Sequence, residues 1–458
     1  MTPIILRRYA ALGTSMNANR PVFGFVVLLP ILFTFASAAA SAQQKMDSEN
    51  QGRVNEMLRS AYEDVKKNYY DPTFHGLDWD ARYHEYQERV KKANSLGQGF
   101  AEIAGFLDVL NDSHTFFRPP SRPMRMDYGF RMQVIGETPF ITRVRPGTDA
   151  GSKLHPGDEV LLYNRFAVNR SDLRSMEYYY NNLSPQMASK LALRDPDGQQ
   201  REVTADATVR QLEHVMDISG GSGDRDIWQL IRDEQRTHEL LRQRYIESGN
   251  VMIWKMPEFF MSDGEVDHMF GIAKKHKALI LDLRGNPGGL TTTLERVVGN
   301  VCDHDVKISD RVGRKEHKPQ LAKTRGTSAY SGKIIVLVDS ASASAAELFA
   351  RVMQLEKRGI VIGDRSSGAV MEARSYREAQ GADTQIFYGF SITDADLIMA
   401  DGKSLEHTGV TPDEIVLPTA KDLAAGRDPA MARATELAGL PMDPVAAGKL
   451  FPFEWQPL

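Results

Sequence analysis

The chain has 458 residues, with 56 Lys and Arg against 60 Asp and Glu and a formal net charge of −4. A mixed, mildly acidic balance gives no electrostatic case for nucleic-acid binding, and glycine, proline and aromatic residues spread along the chain exclude a disordered one. The single cysteine, Cys302, excludes an internal disulfide framework and offers no thiolate cluster for zinc; with no His-Glu-x-x-His element either, no metal or cofactor is expected.

Residues 1–42 read as an export signal instead of part of the fold. They carry Arg7, Arg8 and Arg20 without an acid, then an apolar stretch from Val22 to Phe35 and a small-residue run ending Ala40-Ser41-Ala42. Pro30 interrupts the apolar stretch, which is shorter than the roughly 20 residues a membrane-crossing helix needs. Cleavage would give a periplasmic or secreted protein. If uncleaved, the segment would be a single N-terminal anchor.

Residues 50–124 have helical periodicity, with Val54, Met57, Leu58 and Tyr62 on one stripe and a second candidate helix from about Trp79 to Ala93. The connector Tyr69-Tyr70-Asp71-Pro72 separates them. The pattern turns β-rich over 125–210. There Tyr128-Gly129-Phe130-Arg131, Arg145-Pro146-Gly147 and Pro156-Gly157-Asp158-Glu159-Val160 occur in the order and spacing that resemble a PDZ domain. That resemblance implies a surface that takes a peptide as an added strand and can hold its C-terminal carboxylate with backbone donors.

A charged linker helix is expected over 211–250, with Trp228, Leu230, Ile231, Leu240 and Leu241 on its packed face. Residues 251–440 alternate strand, turn and helix signals, including Ala278–Leu283 and Ile334–Val338 as buried strands, which predicts an α/β core. Residues 441–458 form a tail. Nothing in the sequence sets an oligomeric state.

Ser344 follows a predicted strand and precedes the helix-favouring Ala345-Ala346-Glu347. Taken alone it suits a helix cap as well as a nucleophile. Gly288 and Gly289 follow Pro287 at another strand end, where they permit a sharp turn and close approach of a substrate. Four ordered motifs give these sites a context: Tyr70-Asp71-Pro72 with Phe74-His75-Gly76, Asp112-Ser113-His114-Thr115, Asp282-Leu283-Arg284-Gly285-Asn286-Pro287-Gly288-Gly289, and Ser342-Ala343-Ser344-Ala345-Ala346-Glu347. With the late Glu406-His407-Thr408-Gly409-Val410-Thr411-Pro412-Asp413 segment, they resemble the C-terminal processing and tricorn-related, S41-type serine peptidase superfamily from about Tyr69 to Arg427.

The resemblance implies a crotonase/ClpP-like α/β peptidase core with an N-terminal helical region and an inserted PDZ-like β-rich domain. It implies Ser344 as nucleophile and Gly288 and Ala345 as oxyanion donors. The family's processing peptidases use a lysine base, but a gapless count from Glu347 places Ala369 at that position. Alanine accepts no proton, and nearby Arg365 stays protonated. The tricorn-like branch instead implies His114 as base, Glu406 as its orienting carboxylate and Ser113 as a supporting hydroxyl. The expected function is an exported serine endopeptidase acting on a peptide or protein through Ser-His-Glu chemistry. An inactive peptide-binding scaffold, or a serine hydrolase of a non-peptide ester or amide, are the alternatives.

Overall fold

The computed structural model describes residues 46–122, 124–211, 244–381 and 385–455. The expected leader, residues 1–42, and most of the expected linker helix, Trp228 to Leu241 included, lie outside the described residues; the end of that range, Arg244–Ser248, is a strand. No helix among the described residues is long and apolar enough to cross a membrane.

Three helices open the described chain: Ser48–Asn68, Trp79–Lys91 and Leu96–Asp108. Each starts on a capping side chain, Asp47, Asp78 and Ser95, which accepts an otherwise orphaned N–H in the first turn. Val54, Met57, Leu58, Ala61 and Val65 repeat at helical spacing and are buried. They share a cluster with Trp79, Tyr86 and Phe106 and with Tyr388, Phe390 and Ile392 from late in the chain.

The strands follow in chain order as β1 (Phe116–Arg118), β2 (Met124–Asp127), β3 (Phe130–Ile135), β4 (Thr138–Val144), β5 (Glu159–Tyr163), β6 (Ala188–Arg194), β7 (Gln200–Asp206) and β8 (Thr208–Gln211). β3 to β7 form an antiparallel sheet in sequential order around Phe130, Ile141, Val160, Tyr163, Leu191 and Leu193. The helix Leu173–Tyr178 packs against it through Leu173 and Met176. β2 and β8 pair antiparallel, which brings the entry and exit of this unit together.

The remaining strands are β9 (Arg244–Ser248), β10 (Val251–Lys255), β11 (Ala278–Asp282), β12 (Val306–Val312), β13 (Gln320–Ala322), β14 (Lys333–Val338), β15 (Ile360–Gly363), β16 (Met371–Gln380), β17 (Ile386–Met399) and β18 (Glu414–Ile415). Six of them make a central sheet in the order β18-β15-β14-β11-β10-β9. All neighbours in it are parallel except β9, which runs antiparallel at one edge. The five residues of β11 are all buried because helices cover both faces, as a parallel sheet requires. Leu279, Leu281, Val336 and Val338 face the helices Asp263–Ala273, Thr291–Val301 and Ala345–Leu355, and the alternating Ile280, Ile335 and Leu337 face Pro429–Leu437.

The expected crotonase/ClpP-like core is corrected by this arrangement. The chain is α/β with mixed sheets and flanking helices. Beside the central sheet stands a five-stranded antiparallel one, in which β17 pairs with β1, β12 and β16 and β12 pairs with β13. β17 runs 14 residues, so its first half is covered by the N-terminal helices and its last half reaches β12. A reading built on repeated strand–helix units alone omits this layer.

Candidate active site

The registers of β11, β14 and β15 align their carboxyl ends, with Asp282 opposite Leu337 and Val338 opposite Gly363. The three turns that follow, 283–290, 339–344 and 364–370, therefore converge on one edge of the central sheet. This is the edge where open α/β sheets place their ligands.

Ser344 ends the middle turn, directly before the helix Ala345–Leu355. Its backbone is strained, with φ 54° and ψ −119°. Its N–H donates to the Ala369 carbonyl at 2.9 Å and to Glu347 Oε2 at 3.0 Å. Ser342 braces the turn from below: its hydroxyl donates to the Leu283 carbonyl at 2.8 Å and accepts from Asp339 N at 2.9 Å.

Gly288 lies against the serine. A Cβ there would sit 2.6 Å from Ser344 Cβ and 2.9 Å from Ala345 N, and the residue has φ +98°, so only glycine fits. The Gly288 N–H already donates to Asn286 Oδ1 at 2.8 Å. The Ala345 N–H, first in its helix, carries no hydrogen bond among the described residues. Of the two expected oxyanion donors, Ala345 is thus open and Gly288 is shared with Asn286, a residue whose role sequence reading missed.

Glu347, used in the sequence only to align the serine, proves structurally central. It is wholly buried, and its carboxylate accepts from Ser344 N, Ser366 Oγ (2.5 Å), Gly368 N (2.7 Å) and Ala369 N (3.0 Å). Burial pushes its carboxyl up to about 7 against the pull of those four donors. The spacing of a serine and a glutamate three residues later at a helix start is the signal that could have flagged it.

On the far side of Ala369, Glu406 accepts from Ser113 N (2.7 Å), Ser113 Oγ (2.9 Å) and Val370 N (2.7 Å). Burial also raises its carboxyl. His114 Nδ1 bonds Ser113 Oγ at 2.7 Å. Burial, with the Arg174 charge adding to it, pushes the imidazole down to about 4, and Asp112 opposes them. Asp112 Oδ1 holds the turn by accepting from His114 N, Thr115 N and Thr393 Oγ1.

The expected Ser344–His114–Glu406 arrangement is corrected here. Glu406 spends its oxygens on Ser113 and Val370, so Ser113 stands between it and the imidazole. No hydrogen bond joins His114 to Ser344 among the described residues. Peptidases of the S41, C-terminal processing and tricorn type characteristically pair serine with lysine. In this chain the buried Ala369 stands at the place a gapless count assigns to that lysine.

A cleft of about 1000 Å³ opens beside these turns, lined by Ser113, Ser366 to Ala369, and Arg170 and Arg174 of the β3–β7 unit. It reaches Ala369, whose carbonyl holds Ser344, while Ser344 itself lies just off its wall. The β3–β7 unit is fastened to the same turns. Gln133 donates to Asp339 at 2.7 Å, and Asp364 accepts from Gly136 N at 2.9 Å and Arg170 at 2.7 Å.

Comparison with known proteins agrees with this site. The model of peptidase family S41 matches residues 249–416, which hold all three converging turns, and the tricorn protease C1 domain model matches residues 53–96, within the N-terminal helices. The chain is 26% identical to a tail-specific protease of Haemophilus influenzae, over 66% of this chain and 43% of that one. It is 24% identical to carboxyl-terminal-processing peptidase 3, chloroplastic, of Arabidopsis thaliana, over 69% and 61%. It therefore spans less than two thirds of the length of either relative. The solved structure of mature CPAF superposes with a TM-score of 0.61 at 14% identity, over 82% of this chain and 95% of that one. The photosystem II D1 C-terminal processing protease does so at 0.50 and 17%, over 87% and 99%. These solved structures share the fold, residues 249–416 are of the peptidase family S41 type, and the chain as a whole is similar to S41 and tricorn-related peptidases with a PDZ-like domain.

Proposed function

We propose that the chain is an exported serine endopeptidase of the S41 type that cleaves peptide or protein substrates with Ser344 as nucleophile. The observation that carries this reading is the strained Ser344 turn, with Gly288 pressed against Ser344 and the open Ala345 N–H beside them. A peptide carbonyl seated there would be attacked by Ser344 Oγ, and its oxygen would gather negative charge facing the donors of Ala345 and Gly288. The C–N bond then breaks, the serine proton leaves with the amine, and water hydrolyses the acyl-enzyme. Ser113, His114 and Glu406 act as positioning residues that hold Val370, and with it the Ala369 carbonyl, beside Ser344. The leader-like residues 1–42 support an exported location, and the processing-peptidase relatives support a peptide or protein substrate.

In the purified chain, Ser344→Ala is expected to remove labelling by a serine-reactive phosphonate and to cut peptide hydrolysis by about 10³-fold or more. Unchanged hydrolysis would sink the assignment. A second reading, favoured by Ala369 at the lysine position, is a peptide-binding protein without turnover. Retained peptide binding with no phosphonate labelling of the wild type would select it.

A further inference from the structure

Four arginines, Arg89, Arg170, Arg174 and Arg365, line the cleft beside the Ser344 turn. Three are already partnered. Arg89 pairs with Glu102 at 2.7 Å. Arg170 pairs with Asp364 at 2.7 Å and donates to the carbonyls of Gly136 and Arg365, and Arg365 pairs with Glu137 at 3.1 Å. Arg174, exposed on the helix Leu173–Tyr178, has no ion pair or hydrogen bond among the described residues.

The two acids that attract its charge are committed elsewhere. Glu347 is occupied by its four donors and Glu406 by its three. The guanidinium therefore faces the cleft with its planar set of donors unspent. A planar fork of N–H groups matches a carboxylate with two parallel hydrogen bonds, a geometry that a lysine cannot copy.

We propose that Arg174 is an anion subsite that pairs with a carboxylate carried by the peptide substrate and so sets a preference for acidic sequences near the scissile bond. The inference rests on the peptidase reading for the identity of the ligand as a peptide. It assigns the helix Leu173–Tyr178 a direct part in substrate selection, separate from strand addition at the sheet edge.

The test is a set of fluorogenic peptides in which Glu replaces Gln at one position at a time, each made with a free and an amidated C-terminus. With the full-length wild type, one carboxylate position is expected to raise kcat/KM by roughly fivefold to tenfold over its neutral counterpart. That ratio should fall to about one in Arg174→Ala and recover in part in Arg174→Lys. A preference that follows one Glu position assigns the subsite to a side chain, whereas one that vanishes on amidation assigns it to the terminal carboxylate. Either supports the subsite. No carboxylate preference in the wild type, or the same preference in Arg174→Ala, overturns it. If the wild type cleaves no peptide, the peptidase reading fails on its own. The same Glu-to-Gln ratio is then read as binding affinity by fluorescence anisotropy on Ser344→Ala with and without Arg174→Ala, and a ratio insensitive to Arg174 again overturns the subsite.

Discussion

Glu347 and Glu406 flank Ala369 and Val370 from opposite sides, and the chain builds their surroundings differently. Glu347 collects its donors from Ser344 and from the next turn of the same sheet edge, Ser366 to Ala369. Glu406 joins Ser113, at the end of the N-terminal helical region, to Val370 at the start of the antiparallel sheet. The first cluster belongs to the central sheet and forms with it. The second closes only when three remote segments have docked, which makes it the more dependent on tertiary packing. The placement of Ser344 is thus a property of the core, and the Ser113–Glu406 contact is a property of the assembled layers.

The largest effect that separates the two regions is expected from Gly288→Ala, which strikes the Ser344 side alone. Its Cβ would crowd Ser344 and Ala345 N, so kcat/KM should fall by about 10²-fold or more while circular dichroism still reports a folded chain. Activity near that of the wild type would contradict the close approach described here.

Next come the carboxylates themselves. Glu347→Ala strands four donors in a fully buried site and should cost about 3–5 kcal/mol of stability. Glu406→Ala strands three at a less enclosed site and should cost about 1–3 kcal/mol. Urea midpoints compare the two directly, and equal losses would remove the distinction between them.

The smallest effect is a difference in sign. Glu347 titrates near 7 in the folded chain and ordinarily at 4.5, so between those values the folded state holds a proton that the unfolded state has released. Stability at that site falls as pH rises from about 4.5 to about 7. His114 titrates near 4 when folded and ordinarily at 6.5, so there the unfolded state holds the extra proton. Stability at His114 rises as pH rises from about 4 to about 6.5. In the wild type the two slopes oppose each other. Glu347→Gln should leave the rising limb and His114→Gln the falling one, read from urea midpoints across pH 4 to pH 7.5.

Much of the Ser344 region was legible because its determinants are local. An apolar strand, a serine and an Ala-Ala-Glu helix start occur within a few residues, and the Pro-Gly-Gly turn declares itself. The four-donor role of Glu347 was not legible, since its partners come from the turn after another strand. The antiparallel sheet was missed for a related reason. β16, Met371–Gln380, is so rich in charged residues that its alternation does not read as apolar, and it is held by pairing with β17. Motif order brought Ser113, His114 and Glu406 to one place, yet it could not say which atoms bond. There the backbone N–H groups of Ser113 and Val370 took the acceptors that a triad reading assigns to the imidazole. Arg174 was hidden for the opposite reason. It lies among other polar residues of a short helix, and what distinguishes it is a missing partner, which no sequence pattern records.

The positive φ of Ser344 also sets an evolutionary pressure. A non-glycine residue held at φ 54°, ψ −119° costs on the order of 1–3 kcal/mol, a cost glycine would largely avoid. Ser344→Gly should therefore fold at least as firmly as the wild type while losing the hydroxyl. Drift without selection for the hydroxyl would favour glycine at this position, so a serine retained there in homologous chains would report selection for chemistry over stability.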